Sequence, residues 1–255
     1  MKQMKFFLVA LMAVVMGMSV TSCMNGDDNT QVNDLPVLGK VKDSFLGLTF
    51  TSLDGFTFKS KNTVEGTTNF MPGDFIVATC SYDTEVDIDY TTNTINATIG
   101  STEKISGNAV YSTTKAEDEG EHPSYVSDRG VISITDLTPA MIDNYNLLVP
   151  IRYFAFEKIA SHTFFMVYYS DENELKGKTD LKLFLRHTST EEKAKETYRA
   201  FSYRVFDIRS AIEAYKNANE GRYPSNITIV SEANSSNNDV PKTTTTTPVT
   251  YTFRE

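Results

Sequence analysis

Apolar and polar residues alternate along most of the chain from Val37 onward, which is the period of a β-strand. A β-turn composition at 52–55 (SLDG) separates two such stretches. A two-residue Asp54-Gly55 loop would put Phe50 and Phe58 on opposite faces, whereas a three-residue loop with a left-handed Gly55 pairs them. Only the three-residue loop keeps the apolar residues on one buried face, so the pattern favours it.

The same strand pattern recurs down the chain. We predict strands at 75–82, 86–99 (broken near Asn93), 105–111, 131–134, 151–156, 162–169, 180–187, 199–207, 226–231 and 249–254. Helical patterns are scarce. They predict a short helix or turn at 139–145, after Thr138, and an amphipathic helix at 208–219 capped by Asp207. Many short strands with little helix predict an all-β protein.

Two polar segments divide the chain. Residues 24–34 are acidic and lack periodicity, so we interpret 23–34 as an anchor residue followed by a flexible tether. Residues 115–128 (KAEDEGEHPSYVSD) are charged and contain Gly and Pro, which indicates a linker. The sequence therefore predicts a first β domain at 35–114 and a second at 129–255.

The first 22 residues have the composition of a signal peptide. Two lysines precede an uncharged run at 6–20. This run is too short for a typical transmembrane helix and lacks suitable flanking residues. The run ends in VTSC, which resembles the bacterial lipobox and predicts cleavage between Ser22 and Cys23 with acylation of Cys23. Two or three acyl chains, at roughly 0.8 kcal/mol per buried methylene, would make a durable membrane anchor. The alternative is a secreted protein with a chance cysteine at this position.

Lipidation would use one of the two cysteines, and Cys80 would then have no disulfide partner. Cys80 shares one strand face with Ile76, Ala78 and Tyr82, so we expect a buried and inert thiol. Loss of 1–22 removes two lysines and no acids, which moves the formal net charge from −9 to −11. This acidity argues against nucleic acid and anionic lipid headgroups as partners.

Histidines and carboxylates are the candidates for chemistry. His162 begins one predicted strand and His187 ends another, so antiparallel neighbours would bring them together as paired structural histidines. Two ligands fall short of the three or four of a zinc site, and His122 lies in the predicted linker, so no metal is expected. The cluster Asp83, Glu85, Asp87 and Asp89 would suit calcium or a glycosidase pair. It lacks the glycine-centred calcium loop, and we expect an exposed strand face that blocks edge pairing.

The sequence contains no nucleophile elbow, Walker loop or dinucleotide-binding glycine pattern, and we expect neither an enzyme nor a cofactor. Aromatic residues remain as ligand-binding candidates. Tyr82, Tyr90, Tyr111 and Tyr125 fall near predicted strand ends of the first domain and could form a sugar-binding platform. Packing in the core or at its rim is the other interpretation.

The lipobox, the acidic tether, a small barrel at about 35–112 and the segments HTFFMVYY, DLKLFLRH and RAFSYRVFDI together resemble the NigD-like lipoproteins of Bacteroidota. The resemblance covers nearly the whole mature chain. It implies an N-terminal OB-like β-barrel followed by a C-terminal β-sandwich with one short helix. It implies no functional residues, and the family name comes from association with a bacteriocin gene cluster.

These features predict a non-enzymatic outer-membrane lipoprotein of the cell envelope that binds a glycan, a peptide or an envelope protein. The acidic tract after Cys23 loosely matches the surface-export sequence of Bacteroidota lipoproteins, so we expect surface exposure. Two alternatives stay open: a protection or immunity factor associated with a bacteriocin, and a hydrolase whose site is not visible in the sequence.

Overall fold

The computed structural model describes residues 30–45, 47–66, 69–156 and 161–251. The predicted signal peptide, Ser22, Cys23 and most of the tether lie outside the described residues. The chain divides into two compact units, Met1–Ser106 and Gly107–Glu255. Within the ranges described, no helix has the length and apolarity needed to cross a membrane.

The first unit contains a closed β-barrel. Its strands in the described part of the chain are β1 (Gln31–Asp43), β2 (Thr49–Ser52), β3 (Thr57–Ser60), β4 (Phe75–Asp83), β5 (Ile88–Asp89) and β6 (Thr94–Lys104). β1 pairs antiparallel with β2 and β4, β2 with β3, and β4 with β6, while a parallel β3–β6 pairing closes the ring. The short β5 lies beside β6. This order of five strands is that of an OB-fold, as the resemblance implied.

The β2–β3 hairpin confirms the predicted register. Phe50 pairs with Phe58, and the N–H of Ser52 donates to the carbonyl of Phe56, which leaves a three-residue loop. Gly55 has a φ of +97°, in the left-handed region that the loop requires. The rings of Phe50 and Phe58 stack with centroids 5.2 Å apart, so the pairing places both aromatic side chains in the barrel core.

Cys80 lies in the same core and is fully buried with Ile76 and Ala78. It is a free thiol in the described structure. Burial raises the pKa of the Cys80 thiol to about 12, because a thiolate would lose its hydration in this apolar interior. The prediction of a buried and inert thiol is confirmed.

The second unit is a two-layer β-sandwich. One sheet contains β13 (Tyr198–Asp207), β10 (Asn146–Ala155), β8 (Val131–Ser133) and β9 (Ala140–Met141). The other follows the order β15 (Thr245–Thr250), β14 (Asn226–Ser231), β12 (Asp180–Ser189), β11 (His162–Tyr169) and β7 (Val110–Thr113). Alternate residues of both sheets share one apolar core, which includes Leu181, Leu183 and Leu185. The all-β fold class is confirmed.

Short helices complete the second unit: α1 (Lys115–Asp118), α2 (Glu172–Leu175), α3 (Arg209–Ala218) and a 3₁₀ turn at Lys193–Lys195. α3 confirms the predicted amphipathic helix and buries Ala211, Ile212 and Tyr215 against the sandwich. Its N-cap is Ile208, so the predicted cap was one residue early. Asp207 still accepts a hydrogen bond from the N–H of Arg209, at 3.0 Å.

The predicted domain boundary is corrected by β7. This strand falls within the predicted first domain, yet it pairs in parallel with β11 of the second unit. The boundary lies between Ser106 and Gly107. The predicted linker 115–128 also belongs to the second unit, since Thr114 caps α1 and Asp118 accepts hydrogen bonds from Tyr169 and Arg186. A composition typical of linkers therefore forms part of the sandwich.

Two local predictions need correction. A short helix or turn was expected at 139–145, and the structure has β9 followed by a turn, in which the Asp143 carboxylate accepts the N–H groups of Tyr145 and Asn146. The last strand, expected at 249–254, begins at Thr245, inside the threonine run, because pairing with β14 supplies its backbone partners. At this strand, tertiary hydrogen bonds outweigh local propensity. The break near Asn93 is confirmed by its φ of +50°.

Candidate functional site

Polar side chains gather in two places, one on each unit. The first is a surface depression of about 350 Å³ on the barrel, here named the barrel cleft, lined by Gln31, Lys61, Ser81, Tyr82, Asp83, Val86, Asp87 and Thr98. The second lies inside the sandwich and is named the histidine network, formed by Arg129, His162, His187, Glu191, Glu196 and Asn238.

Strand pairing at one end of the barrel builds the cleft. The antiparallel register of β1 and β4 places Gln31 opposite Asp83. β6 adds Thr98, which pairs with Ser81. The turn after β4 then brings Val86 and Asp87 over these strands, and Lys61 follows β3. Residues from three strands, the position after β3 and a turn therefore line one depression.

Hydrogen bonds hold the two carboxylates of the cleft in their ionised form. Asp83 accepts the N–H of Glu85 at 2.9 Å and the hydroxyl of Thr30 at 2.8 Å, and these bonds lower its pKa. Asp87 accepts a hydrogen bond from the N–H of Asp83 at 2.9 Å and forms an ion pair with Lys61. Both contacts lower the pKa of Asp87, and the hydrogen bond from Asp83 has the larger effect. Hydrogen bonds to a carboxylate favour the charged form, so both groups act as acceptors at neutral pH.

The acidic segment is not the exposed strand face that its alternation predicted. Residues 84–86 form a turn, and the strand covers only Ile88–Asp89. Asp89 accepts hydrogen bonds from the hydroxyl and N–H of Thr92 and the N–H of Thr91, and these bonds lower its pKa. The acids therefore organise local turns, because aspartate side chains compete with strand pairing for nearby N–H groups.

The predicted tyrosine platform is divided between the units. Tyr82 lines the barrel cleft with its ring edge against Phe58, and Tyr90 is 69% exposed on the adjacent turn. Tyr111 and Tyr125 belong to the second unit, where their rings stack with centroids 4.6 Å apart. The first domain therefore contains two of the four tyrosines, because β7 crosses to the other unit.

The histidine network begins with the pairing of β11 and β12. Their antiparallel register brings His162 and His187 together, and His162 Nδ1 lies 2.9 Å from His187 Nε2. His162 Nε2 lies 3.1 Å from Glu191 Oε2, and His187 Nδ1 lies 3.2 Å from the carbonyl of Gly130. The predicted histidine pair is confirmed, and Phe164 stacks on His187 with centroids 4.4 Å apart.

These bonds determine where the protons lie. The Gly130 carbonyl can only accept, so His187 donates through Nδ1–H and accepts at Nε2. His162 must then donate to His187 through Nδ1–H, which leaves its Nε2 facing a Glu191 oxygen. Two lone pairs cannot form a hydrogen bond, so a hydrogen bond between His162 Nε2 and Glu191 requires one proton shared by this pair.

His187 itself is neutral. Burial, and next the neighbouring His162, lower the pKa of His187 to about 3. Desolvation penalises an imidazolium, and both ring nitrogens already have partners in the neutral form.

An ion pair closes the network on its other side. Arg129 Nε donates to Glu196 Oε1 at 2.8 Å, and the two side chains are 8% and 0% exposed. Asn238 donates to the second oxygen of Glu196 at 2.7 Å. The ligand atoms of His162, Glu191 and Glu196 all lie within 4.8 Å of one another. Arg129 already supplies the positive charge beside Glu196, so this side of the network is a closed ion pair.

Sequence patterns did not predict several residues of the barrel cleft and of the histidine network. Lys61 and Gln31 of the cleft, and Arg129, Glu191 and Glu196 of the network, stand in loops or at strand ends without periodicity. Their partners are distant in the chain, since 67 positions separate Arg129 from Glu196. The histidine pair could be predicted from the sequence, because it depends on the order of two strands with a clear apolar pattern.

No protein-family model matches this chain, and no curated protein does. Solved structures of Bacteroidota proteins are similar. A candidate lipoprotein from Bacteroides fragilis is 22% identical with a TM-score of 0.69, over 88% of this chain and 100% of that one. A DUF1344 protein of unknown function from Bacteroides vulgatus is 10% identical with a TM-score of 0.53, over 86% and 90%.

A NigD-like immunity protein from Bacteroides caccae is 13% identical with a TM-score of 0.48, over 84% of this chain and 92% of that one. The Bacteroides fragilis and Bacteroides vulgatus structures, at 22% and 10% identity, establish a shared fold. The match to the Bacteroides fragilis protein spans that whole chain and confirms the two-part architecture that the NigD-like resemblance implied.

Proposed function

We propose that this protein is a non-enzymatic lipoprotein of the cell envelope, anchored to the outer membrane through Cys23, that binds its ligand in the barrel cleft. The cleft carries the proposal, because it is a depression on an OB-like barrel with donors and acceptors converging from several strands. The lipobox supports the location, as does the fold shared with a candidate lipoprotein.

The state of the cleft carboxylates favours binding over hydrolysis. A glycosidase pair needs one carboxyl group held protonated as general acid. Hydrogen bonds lower the pKa of both Asp83 and Asp87, and neither group is in apolar surroundings that would raise it. The cleft therefore offers acceptors and a cation, without a proton donor of suitable acidity.

The anchor is tested by metabolic labelling with a palmitate analogue and by membrane fractionation. The wild-type protein should incorporate the label and fractionate with the outer membrane, whereas Cys23→Ser should remain unlabelled. Equal labelling of the two forms would contradict the anchor.

Binding is tested on the mature chain carrying Cys23→Ser, titrated with envelope glycans and peptides while backbone amide resonances are followed. We expect shifts grouped around Tyr82, Val86 and Thr98. A chain whose cleft resonances respond to neither class would contradict the proposed function.

A further inference from the structure

We infer that the barrel cleft binds a neutral saccharide, a step that rests on the proposed function and names the ligand class. The lining alternates donors with acceptors. Lys61 and Gln31 carry N–H donors, Ser81, Thr98 and Tyr82 carry hydroxyls, and the two carboxylates accept. A sugar hydroxyl both donates and accepts, so it can use each kind of group in turn.

Charge selects against anionic ligands. Lys61 is the cation of the cleft lining, and its ammonium group is already paired with Asp87. The ionised carboxylates of Asp83, Asp87 and Asp89 stand in the same region, so a phosphate, a sulfate or an acidic sugar would meet net negative charge. A neutral polyol avoids this repulsion and still gains charge-assisted hydrogen bonds from the carboxylates.

Apolar surface beside these polar groups suits the C–H face of a sugar ring. Val86 is 80% exposed at the cleft, and Tyr90, on the next turn and outside the cleft lining, is 69% exposed. Tyr82 is one of the residues that line the cleft, and burial is the main cause of its raised pKa, so its phenol is a neutral donor at any physiological pH. Clefts for small ligands typically measure about 300–1,000 Å³, and the barrel cleft falls at the low end, which fits the end of an oligosaccharide.

The carboxylates are also held in place before a ligand arrives. The N–H groups of Glu85 and Val86 both donate to Asp83, and the N–H of Asp83 donates to Asp87. Because these bonds fix the oxygens on a turn, binding loses little conformational freedom of the protein. The arrangement favours recognition of one ring geometry over general attraction of solutes.

The experiment titrates the mature Cys23→Ser chain with cellohexaose, mannohexaose and chitohexaose, each followed by amide resonances. Concentrations should extend to several millimolar, because a Kd near 1 mM corresponds to only about −4 kcal/mol. We expect one hexasaccharide to shift the amides of Tyr82, Val86 and Asp87 in a saturable manner. Asp87→Asn and Lys61→Met should each weaken its binding at least tenfold.

Lys59→Met is the matched control, since Lys59 is an exposed lysine on β3 outside the cleft lining. It should bind like the wild-type chain. Unchanged amide resonances away from the cleft would show that each variant is folded. Equal binding by Lys61→Met and Lys59→Met would overturn the assignment of the cleft.

Two other outcomes separate this inference from the proposed function. If a lysine-rich peptide shifts the cleft amides and none of the saccharides does, the saccharide inference fails and the binding function stands. If neither peptide nor saccharide shifts them, both fail. Saturable shifts with a saccharide, lost in Asp87→Asn, would establish both.

Discussion

The barrel cleft and the histidine network contain similar residue types in different surroundings. Each contains two carboxylates and at least one cation, joined by hydrogen bonds of similar length. They differ in access to water. Lys61 in the cleft is 42% exposed, whereas Arg129 and Glu196 in the network are 8% and 0% exposed.

Exposure decides what each ion pair can do. A charge in water costs little to leave unpaired, so cleft residues can exchange partners with a ligand. A buried charge must keep its partner, because breaking such a pair typically costs about 3–5 kcal/mol. The network therefore holds loops of the sandwich together, and the cleft remains available for binding.

Arg129→Met should lower the free energy of unfolding by about 3–5 kcal/mol, because Glu196 would stay buried without its cation. Urea denaturation measures the loss. Lys195→Met is the control, since Lys195 pairs with Glu192 on the surface and should change stability by less than about 1 kcal/mol. Similar losses in the two variants would remove the distinction between the buried and the exposed pair.

Stability should fall on acidification through the ordinary pKa of histidine, 6.5, because of His187. Below that pH the unfolded chain binds a proton at residue 187, while the folded protein stays neutral until about pH 3. The expected slope is about 1.4 kcal/mol per pH unit for one proton.

His187→Gln removes this titration. Between about pH 6 and about pH 4.5, the free energy of unfolding of the wild-type protein should therefore fall more steeply on acidification than that of the variant. This window is roughly the upper half of the pH range between the unfolded and folded pKa values of His187. Parallel curves would show that His187 does not stay neutral in the folded state.

Glu191→Gln should cost about 1–2 kcal/mol, less than the loss of Arg129. The amide of glutamine can donate to His162 Nε2, so the network would no longer need the shared proton. Imidazole ¹⁵N spectra should show a neutral His162 with Nδ1–H in this variant. An unchanged His162 spectrum would argue against a proton shared with Glu191.

Lys61→Met and Asp87→Asn should change the free energy of unfolding by no more than about 1 kcal/mol each, because this pair is partly exposed. Their effect should appear in ligand binding. A loss as large as that of Arg129→Met would mean that the cleft pair is structural and would narrow the contrast between the two regions.

Short-range patterns in the sequence predicted the fold. The apolar faces around Phe50 and Phe58 specified a hairpin register, since a slip of one residue would expose one ring. The strand predicted at 162–169 is β11, which lies between β7 and β12. The errors came where pairing is distant, as for β7, which joins the sandwich although the chain before it forms the barrel.

The barrel cleft and the histidine network were harder to predict from the sequence than the fold. Tyr82, Asp83 and Asp87 were named as candidates, yet their grouping with Gln31 and Lys61 depends on the closure of the barrel. Arg129 and Glu196 carried no pattern at all, because loop residues need satisfy no period. A buried ion pair is visible only when two loops are known to meet.

Composition and the alternation within one or two strands were enough to predict the all-β class, the burial of Cys80, the acidic charge and the pairing of His162 with His187. The domain boundary, the cleft and the partners of Arg129 and Glu191 became visible in the folded chain alone. They depend on contacts between distant segments, 29 positions apart for His162 and Glu191 and 67 for Arg129 and Glu196, whose free energy comes from burial and complete hydrogen bonding rather than from local propensity.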